Sequence, residues 1–332
     1  MLRFLLRRLL HVAGVVGVAT LASFALLRLA PGDPVIPGAE DAREGAAGRA
    51  AILRARHGLD RPLAAQLAAH AARVARGDLG TSLVEGRPVR TMLVEALPPT
   101  LLLAGTGLVL AVVLGVGVAL LQARHPDDAR VGCVGATLTA LYALPEFVVA
   151  VALIAVLALR LGLLPVGGMG DPLLADGAAL AEHWRDRARH LALPALTLAL
   201  SWSAAVARQQ RAALADAACD DHVRTARAKG APEWRVWTWH ALPPTLPVTA
   251  AVVGVMLPAL AGGALAVEAL FSWPGMGALL LRGVASRDYP LVAGGVVLVS
   301  ATTALGTLLA DLAARAADPR LRGSGVGEGG GR

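Results

Sequence analysis

The sequence predicts an all-α membrane protein with six transmembrane helices. Hydrophobic residues make up 56% of the 332 residues and charged residues only 17%, whereas soluble domains carry about 25% charged residues. The apolar residues form long stretches, each close to the roughly 20 residues that cross a bilayer as a helix. Because backbone polar groups in lipid must be satisfied within the segment, helices are favoured over open strands. The stretches are residues 9–29, 100–121, 132–159, 191–206, 245–267 and 291–312.

Basic residues around these stretches indicate that both termini lie in the cytoplasm. Arg3, Arg7 and Arg8 precede the first stretch, and cytoplasmic ends of membrane helices are enriched in arginine and lysine. The first helix is expected to be retained, because it exceeds the apolar core of a signal peptide and no small-residue cleavage site follows it. Arginines in the loop 160–190 argue against its predicted external location.

The predicted organisation follows from this topology. Residues 1–30 form the cytoplasmic N-terminus and first transmembrane helix, and residues 31–97 form an external segment with short helices near 47–56 and 62–76. Residues 98–316 form the main transmembrane domain, which includes a cytoplasmic loop at 208–244. Residues 317–332 are expected to be a disordered cytoplasmic tail, because they are rich in glycine.

Several kinds of chemistry are missing from the sequence. The only lysine, Lys229, lies in Ala-Lys-Gly, so the chain lacks the phosphate-binding loop of an ATPase. Metalloprotease, zinc-finger and hydrolase motifs are also absent. No catalytic residue, metal or cofactor is therefore expected. The net charge of +7 is better explained by loops at the lipid surface than by nucleic-acid binding, which needs clustered basic residues.

One cytoplasmic segment predicts two short helices joined by a tight turn. Its text is Asp221-His-Val-Arg-Thr-Ala-Arg-Ala-Lys-Gly230-Ala-Pro-Glu233. Alanine and arginine favour a helix, Gly230 suits a left-handed helix end, and Pro232 with Glu233 suits the first turn of the next helix. A rigid helix pair could receive a push from a soluble partner, whereas a flexible loop would absorb it. The alternative is a solvated basic loop.

Residues 221–230 resemble the coupling loop of ABC-importer permeases of the dipeptide, oligopeptide and nickel type. Other stretches resemble text of the same family in the same order, so the likeness covers nearly the whole chain. The sequence departs from the family at His222, where a tyrosine is usual, and after His240. The similar stretches are Leu29-Ala-Pro-Gly-Asp-Pro34, Gly58-Leu-Asp-Arg-Pro62, Gly77-Asp-Leu-Gly80, Leu164-Pro-Val-Gly-Gly168, Leu193-Pro-Ala-Leu-Thr197, Phe271-Ser-Trp-Pro-Gly-Met-Gly277, Arg287-Asp-Tyr-Pro290 and Asp318-Pro-Arg-Leu-Arg322.

The resemblance implies a type I importer permease in the bacterial inner membrane that forms half of the pathway for peptides or similar small solutes. The long segment after the first helix resembles the first of two paired permeases. The implied partners are a second homologous permease, two ATP-binding subunits, an external solute-binding protein and membrane lipid, without nucleic acid. The residues implied to dock on an ATP-binding subunit are Asp221, Val223, Arg224, Thr225, Ala226, Arg227, Lys229 and Gly230.

Three residues of the third predicted helix are candidates for the solute pathway. Thr139, Tyr142 and Glu146 follow one another at spacings of three and four, which would put them on one helix face. Ionisable residues within a membrane are costly and are functional candidates by default. The alternative is that Glu146 bonds to a neighbouring helix and serves only packing.

Two further interpretations remain open. A self-sufficient, ion-coupled secondary transporter is the main alternative. Such proteins usually carry several intramembrane acids, whereas Glu146 is the one acid that supports it here.

The segment containing Trp234, Trp237, Trp239 and Arg235 is expected at the membrane interface or in partner docking, because amphipathic aromatics beside spans lie at the headgroup level.

Overall fold

A computed structural model of the protein describes residues 2–29, 62–173, 179–262 and 265–317. These residues are mostly helical. An isolated antiparallel β-bridge joins Thr81 to Pro88. Two π-helical segments occur, Ile154–Arg160 and Val236–Ala241. The α-helices are α1 Leu2–Leu29, α2 Leu63–Ala75, α3 Val89–Arg124, α4 Ala129–Ala143, α5 Glu146–Leu153, α6 Leu180–Ala217, α7 Asp221–Ala228, α8 Glu233–Arg235, α9 Leu242–Gly262, α10 Leu265–Leu270, α11 Met276–Ala285 and α12 Tyr289–Ala317.

The helical class predicted from the sequence is confirmed, but six spans are not. Within the described residues, four helices are long and apolar enough to cross a membrane, and a bent pair makes a fifth if it is one span. The apolar part of α1 that is described in full, Leu10–Ala25, is shorter than this. The four spans are Val89–Arg124, Leu180–Ala217, Glu233–Leu257 and Tyr289–Leu308.

The prediction of one continuous helix over 132–159 is wrong. The chain breaks after α4, and α4 and the helix from Glu146 to Arg160 differ in direction by 115°. Leu144 adopts an extended conformation with φ −83° and ψ 142°. This is the conformation that a following proline favours, since the proline ring clashes with a helical residue before it, and Pro145 follows.

Several helices extend beyond their apolar stretches. α3 begins at Val89, ahead of Pro98 and Pro99, and α6 begins at Leu180, inside the loop predicted at 160–190. Helical hydrogen bonds do not require apolar side chains, so the polar flanks continue the helix outside the predicted span. α2 confirms the short helix expected near 62–76, while the one expected at 47–56 lies outside the described residues.

The described residues form two compact units. One lies within Met1–Leu97 and Leu279–Ala304, and the other lies within Pro98–Ala278 and Leu305–Arg332. In the first unit α1 packs against α2, with the rings of Phe24 and His70 5.9 Å apart. In the second unit α6 is the central element and packs against α4, α5, α9 and α10. Its core contains Leu103, Leu193, Leu198, Phe271 and Trp273, each at most 1% exposed.

Candidate functional site

The turn after α7 confirms the predicted helix–turn–helix arrangement. Gly230 has φ +77°, a left-handed conformation that costs glycine little because it has no Cβ. Its N–H donates to the Arg227 carbonyl at 2.9 Å, and the Ala231 N–H donates to the Ala226 carbonyl at 3.2 Å. These two bonds define a Schellman motif, which satisfies carbonyls left free at a helix end. The end of α7 is therefore fixed by backbone hydrogen bonds and by the left-handed conformation of Gly230.

The second helix of the pair starts immediately and is tied back to the first. Pro232 precedes α8 with φ −64°, the value that its ring imposes. Across the turn, Nε of Arg227 donates to Oε1 of Glu233 at 2.9 Å. The same guanidinium lies 5.5 Å from the ring centroid of Trp237, within cation–π range. Arg227 thus contacts both α8 and the π-helical segment that follows it.

The inner face of α7 rests on a buried apolar cluster. Val223 is 0% exposed and Ala226 is 7% exposed. They belong to a cluster that joins α7 to the ends of α3 and α6 and to the π-helical segment before α9. Fully burying a side chain such as valine contributes about 1.5–3 kcal/mol. The remaining buried members of the cluster are Ala119, Leu214, Val236, Trp237 and Ala241.

The outer face of the helix pair is open to solvent. Six of the eight predicted docking residues are exposed, whereas Val223 and Ala226 face the cluster and hold the helix in position. The structure thus divides the predicted set into an inner and an outer group. The exposed members are Asp221, Arg224, Thr225, Arg227, Lys229 and Gly230.

The three candidate pathway residues do not form one stripe. α4 ends at Ala143, so Glu146 belongs to a different helix from Thr139 and Tyr142, and the helical spacing does not continue across the break. The Thr139 hydroxyl bonds to the Gly135 carbonyl of its own helix at 2.9 Å. The prediction of a single face is therefore wrong, because Pro145 interrupts the helix.

Tyr142 and Glu146 instead share a neighbour, α6. Oε1 of Glu146 accepts a 3.0 Å hydrogen bond from Nε1 of Trp202, and the guanidinium of Arg208 lies 5.8 Å from the Tyr142 ring centroid. Tyr142 is 49% exposed. The Tyr142 phenol near the end of α4 and the Glu146 carboxylate at the start of α5 therefore both contact α6.

Sequence reasoning missed Glu268, which is 0% exposed. Its carboxylate accepts from the Thr100 hydroxyl at 2.8 Å and from the Ala278 N–H at 3.0 Å. Nearby, Nε1 of Trp273 donates to the Pro99 carbonyl at 2.9 Å. The stretch 271–277 thus folds around this carboxylate and is anchored to α3. An acid directly after the predicted span, three residues before Phe271, was the available signal.

A second carboxylate joins one of the stretches that resemble the permease family, 287–290, to the turn that follows another, 77–80. The Ser82 hydroxyl donates to Oδ2 of Asp288, and the Leu83 N–H donates to Oδ1 of Asp288 at 3.2 Å. Asp288 is 1% exposed and Ser82 is 4% exposed. The stretch 287–290 thereby holds the turn that follows 77–80. The similar stretches at 29–34, 58–62 and 318–322 lie largely outside the described residues.

A buried polar bridge connects α6 to α9. Nε2 of Gln210 donates to Oγ1 of Thr245 at 2.5 Å, and the Thr249 hydroxyl donates to Oε1 of Gln210 at 2.6 Å. Gln210 is 1% exposed. Both ends of the amide are therefore satisfied, which is the usual condition for a polar group buried in a core.

The fold and the site define a class of protein: a helical chain with several apolar candidate spans and an exposed helix pair joined by a capped turn. Residues 107–323 match the family model described as binding-protein-dependent transport system inner membrane component. The chain belongs to this family and is an inner membrane component. In the described ranges, no group of three or more His, Cys, Asp or Glu side chains is arranged to hold a metal ion.

Full-length relatives agree with this assignment. The dipeptide transport system permease protein DppB of Escherichia coli is 35% identical over 339 residues, with 97% of this chain and 99% of the relative covered. The oligopeptide transport system permease protein AppB of Bacillus subtilis is 33% identical over 324 residues, with the same coverage of both chains. The glutathione transport system permease protein GsiC of Salmonella choleraesuis is 33% identical over 330 residues, again with 97% and 99% covered.

These matches confirm the resemblance to importer permeases. They favour that interpretation over the ion-coupled secondary transporter, because the family depends on a separate binding protein by its description. The chain is thus a permease component of a binding-protein-dependent transport system.

Proposed function

We propose that this chain forms half of the translocation pathway for short peptides or similar solutes and does no chemistry itself. Its partners in this proposal are a second homologous permease, two ATP-binding subunits that hydrolyse ATP, and an external solute-binding protein. The names of the relatives specify dipeptide, oligopeptide and glutathione transport, which supports a peptide cargo. The family description supports the binding protein.

The observation that carries the proposal is the capped and supported helix pair. Asp221, Arg224, Thr225, Lys229 and Gly230 form part of an exposed outer face, which is available to an ATP-binding subunit. A closely packed protein interior has low compressibility and transmits strain. Movement of the outer face would therefore pass through the buried cluster beneath α7 to α3, α6 and α9. A loop without this support would not transmit the movement.

The proposed topology has six spans with both termini in the cytoplasm. In this arrangement α1, α3, the bent pair α4 and α5, α6, α9 and α12 each cross once. Residues 1–30 hold the first span, residues 31–97 are external, residues 98–316 form the permease domain with its coupling loop at 208–244, and residues 317–332 form the tail. The arginines in the first turns of α1 and those within residues 208–244 support this orientation.

The pathway in this proposal runs past the break between α4 and α5. Tyr142 is half exposed and Glu146 is partly exposed, and Thr139 lies on the same helix as Tyr142. A carboxylate and a phenol suit the ammonium and amide groups of a peptide, since they offer hydrogen-bond acceptors and a donor. Their contacts with α6 link the pathway to the helix that also supports the coupling loop.

Substitution of Gly230 tests the coupling role. Gly230→Val requires a β-branched residue at a positive φ, which distorts the turn. We expect loss of ATP-dependent uptake of a labelled dipeptide by membrane vesicles that contain the assembled importer, while the amount of membrane-inserted permease stays unchanged. Gly230→Asn is the matched control, because asparagine tolerates the left-handed conformation. Normal uptake and normal co-purification of the ATP-binding subunit with Gly230→Val would rule out the docking role.

A further inference from the structure

Two exposed tryptophans before α9, Trp234 and Trp239, line the same cavity. Trp234 is 48% exposed and Trp239 is 70% exposed, whereas Trp237 between them is 7% exposed. In an α-helix, residues five apart point roughly 140° away from each other. Here α8 ends at Arg235 and the chain continues as a π-helix over Val236–Ala241, in which the Leu242 N–H bonds to the Trp237 carbonyl five residues earlier. This wider turn lets Trp237 enter the buried cluster while both outer indoles remain outside.

The guanidinium of Arg235 lies over the exposed indole of Trp234, 5.4 Å from the ring centroid. Among the described residues no carboxylate forms an ion pair with it, in contrast to Arg227, which bonds to Glu233. Trp234, Arg235, Trp239 and His240 line an open cavity of about 440 Å³. The cavity therefore combines apolar ring faces with a positive charge.

The position of this cavity indicates what occupies it. The residues lie at the start of the apolar helix Glu233–Leu257, one of the four candidate spans. Leu246, further along the same helix, is 47% exposed and continues the apolar surface. Tryptophan is enriched where a span meets the headgroups, and anionic lipid attracts arginine near the membrane surface.

We propose that this cavity binds the phosphate headgroup of an anionic membrane phospholipid. Arg235 pairs with the phosphate, and Trp234 and Trp239 lie against the glycerol and the first part of the acyl chains. The lipid thereby fills the cavity and stabilises α8 and the π-helical segment after it at the membrane surface. Lipid binding at this site does not depend on the cargo or on ATP-driven movement.

Lipid retention tests the site directly. The full-length permease would be purified from membranes that contain phosphatidylglycerol, washed in detergent, and analysed for bound lipid by mass spectrometry. A lysine or arginine near an anionic surface contributes about 1 kcal/mol, so we expect Arg235→Gln to retain about fivefold less phosphatidylglycerol at the site. Arg211→Gln is the matched control, because Arg211 is an exposed arginine on α6. Equal retention by the two variants would overturn the proposal.

Tryptophan fluorescence gives a second measurement on the folded protein in nanodiscs. Brominated phosphatidylglycerol should quench part of the emission, and Trp234→Phe/Trp239→Phe should remove that part while the buried Trp237 still reports a folded chain. Brominated phosphatidylcholine should quench this part less. Quenching that is equal for both lipids would reject the anionic headgroup. Quenching that disappears when the ATP-binding subunit is added would assign the cavity to that protein and reject the lipid site.

Discussion

The Thr100 hydroxyl donates a 2.8 Å hydrogen bond to the buried carboxylate of Glu268, which lies 168 residues later in the sequence. The hydroxyl oxygen also accepts the Met276 N–H at 2.7 Å. One hydroxyl of α3 thus bonds to Glu268, which precedes the stretch 271–277, and to Met276 near the end of that stretch. Because the carboxylate is fully buried, each of its hydrogen bonds offsets part of a large desolvation cost. This contact therefore ties α3 to the segment 268–276 within the second unit.

Replacing Thr100 with valine should destabilise the protein. Valine keeps the volume but leaves Oε1 of Glu268 and the Met276 N–H without this partner, and each unsatisfied buried group costs about 1–3 kcal/mol. We expect a lower midpoint of thermal unfolding in detergent. Thr137→Val is the control, since Thr137 is exposed and bonds to the Cys133 carbonyl of its own helix. Equal midpoints for the two variants would contradict the anchor role.

Gly277→Ala should also destabilise the anchor. A Cβ at Gly277 would lie 2.8 Å from Cα of Leu265 and 2.9 Å from Oε2 of Glu268. Because the first of these neighbours is backbone, the clash requires a shift of α10 or α11, and overpacking of this kind costs about 1–3 kcal/mol. The control is Gly117→Ala on α3, where no atom lies within 4 Å. Thermal unfolding of both variants decides the point: an effect of the same size at both sites would exclude a steric cause.

The bridge between Gln210 and Thr249 should show coupling in a double-mutant cycle. Gln210→Leu leaves the buried Thr249 hydroxyl without its acceptor, and Thr249→Val leaves Oε1 of Gln210 without its donor. Groups in one hydrogen-bond network show interaction energies of about 0.5–3 kcal/mol. The double variant should therefore lose less stability than the two single variants added together. Simple additivity of the unfolding free energies would show that the two residues act independently.

Labelling of Cys219 should reveal the orientation of the coupling loop. Cys219 is exposed two residues before α7. In a Cys133→Ser background, a membrane-impermeant maleimide should label it only after the cells are permeabilised, because the proposed topology puts the loop in the cytoplasm. Labelling in intact cells would put the loop outside and exclude contact with an ATP-binding subunit.

Glu146→Gln should lower uptake if the carboxylate contacts solute. The change removes the charge but keeps an acceptor for Nε1 of Trp202, so folding should be little affected. We expect a roughly tenfold loss of dipeptide uptake, which corresponds to about 1.4 kcal/mol. Trp202→Phe separates the two roles, because it removes the hydrogen bond and keeps the charge. Wild-type rate and specificity for Glu146→Gln would leave Glu146 with a packing role only.

The coupling turn was predictable because its signals are local. Gly230 and Pro232 constrain their own backbone and that of their immediate neighbours. The end of one helix and the start of the next could therefore be predicted from a short stretch of sequence. The break at Pro145 carried a signal of the same kind, but the surrounding apolar residues favoured one long span. There the hydropathy pattern outweighed the proline, and the prediction of a continuous helix was wrong.

Composition and short-range sequence determined that this protein is helical, apolar and equipped with a capped helix pair, because these properties depend on each residue and its near neighbours. Tertiary structure decided that Glu268 meets Thr100 and that Asp288 meets Ser82, 206 residues earlier in the chain. It also decided that Val223 faces inward while Lys229 faces outward. Such contacts depend on how distant helices pack, since a buried polar group is stable only where packing brings it a partner.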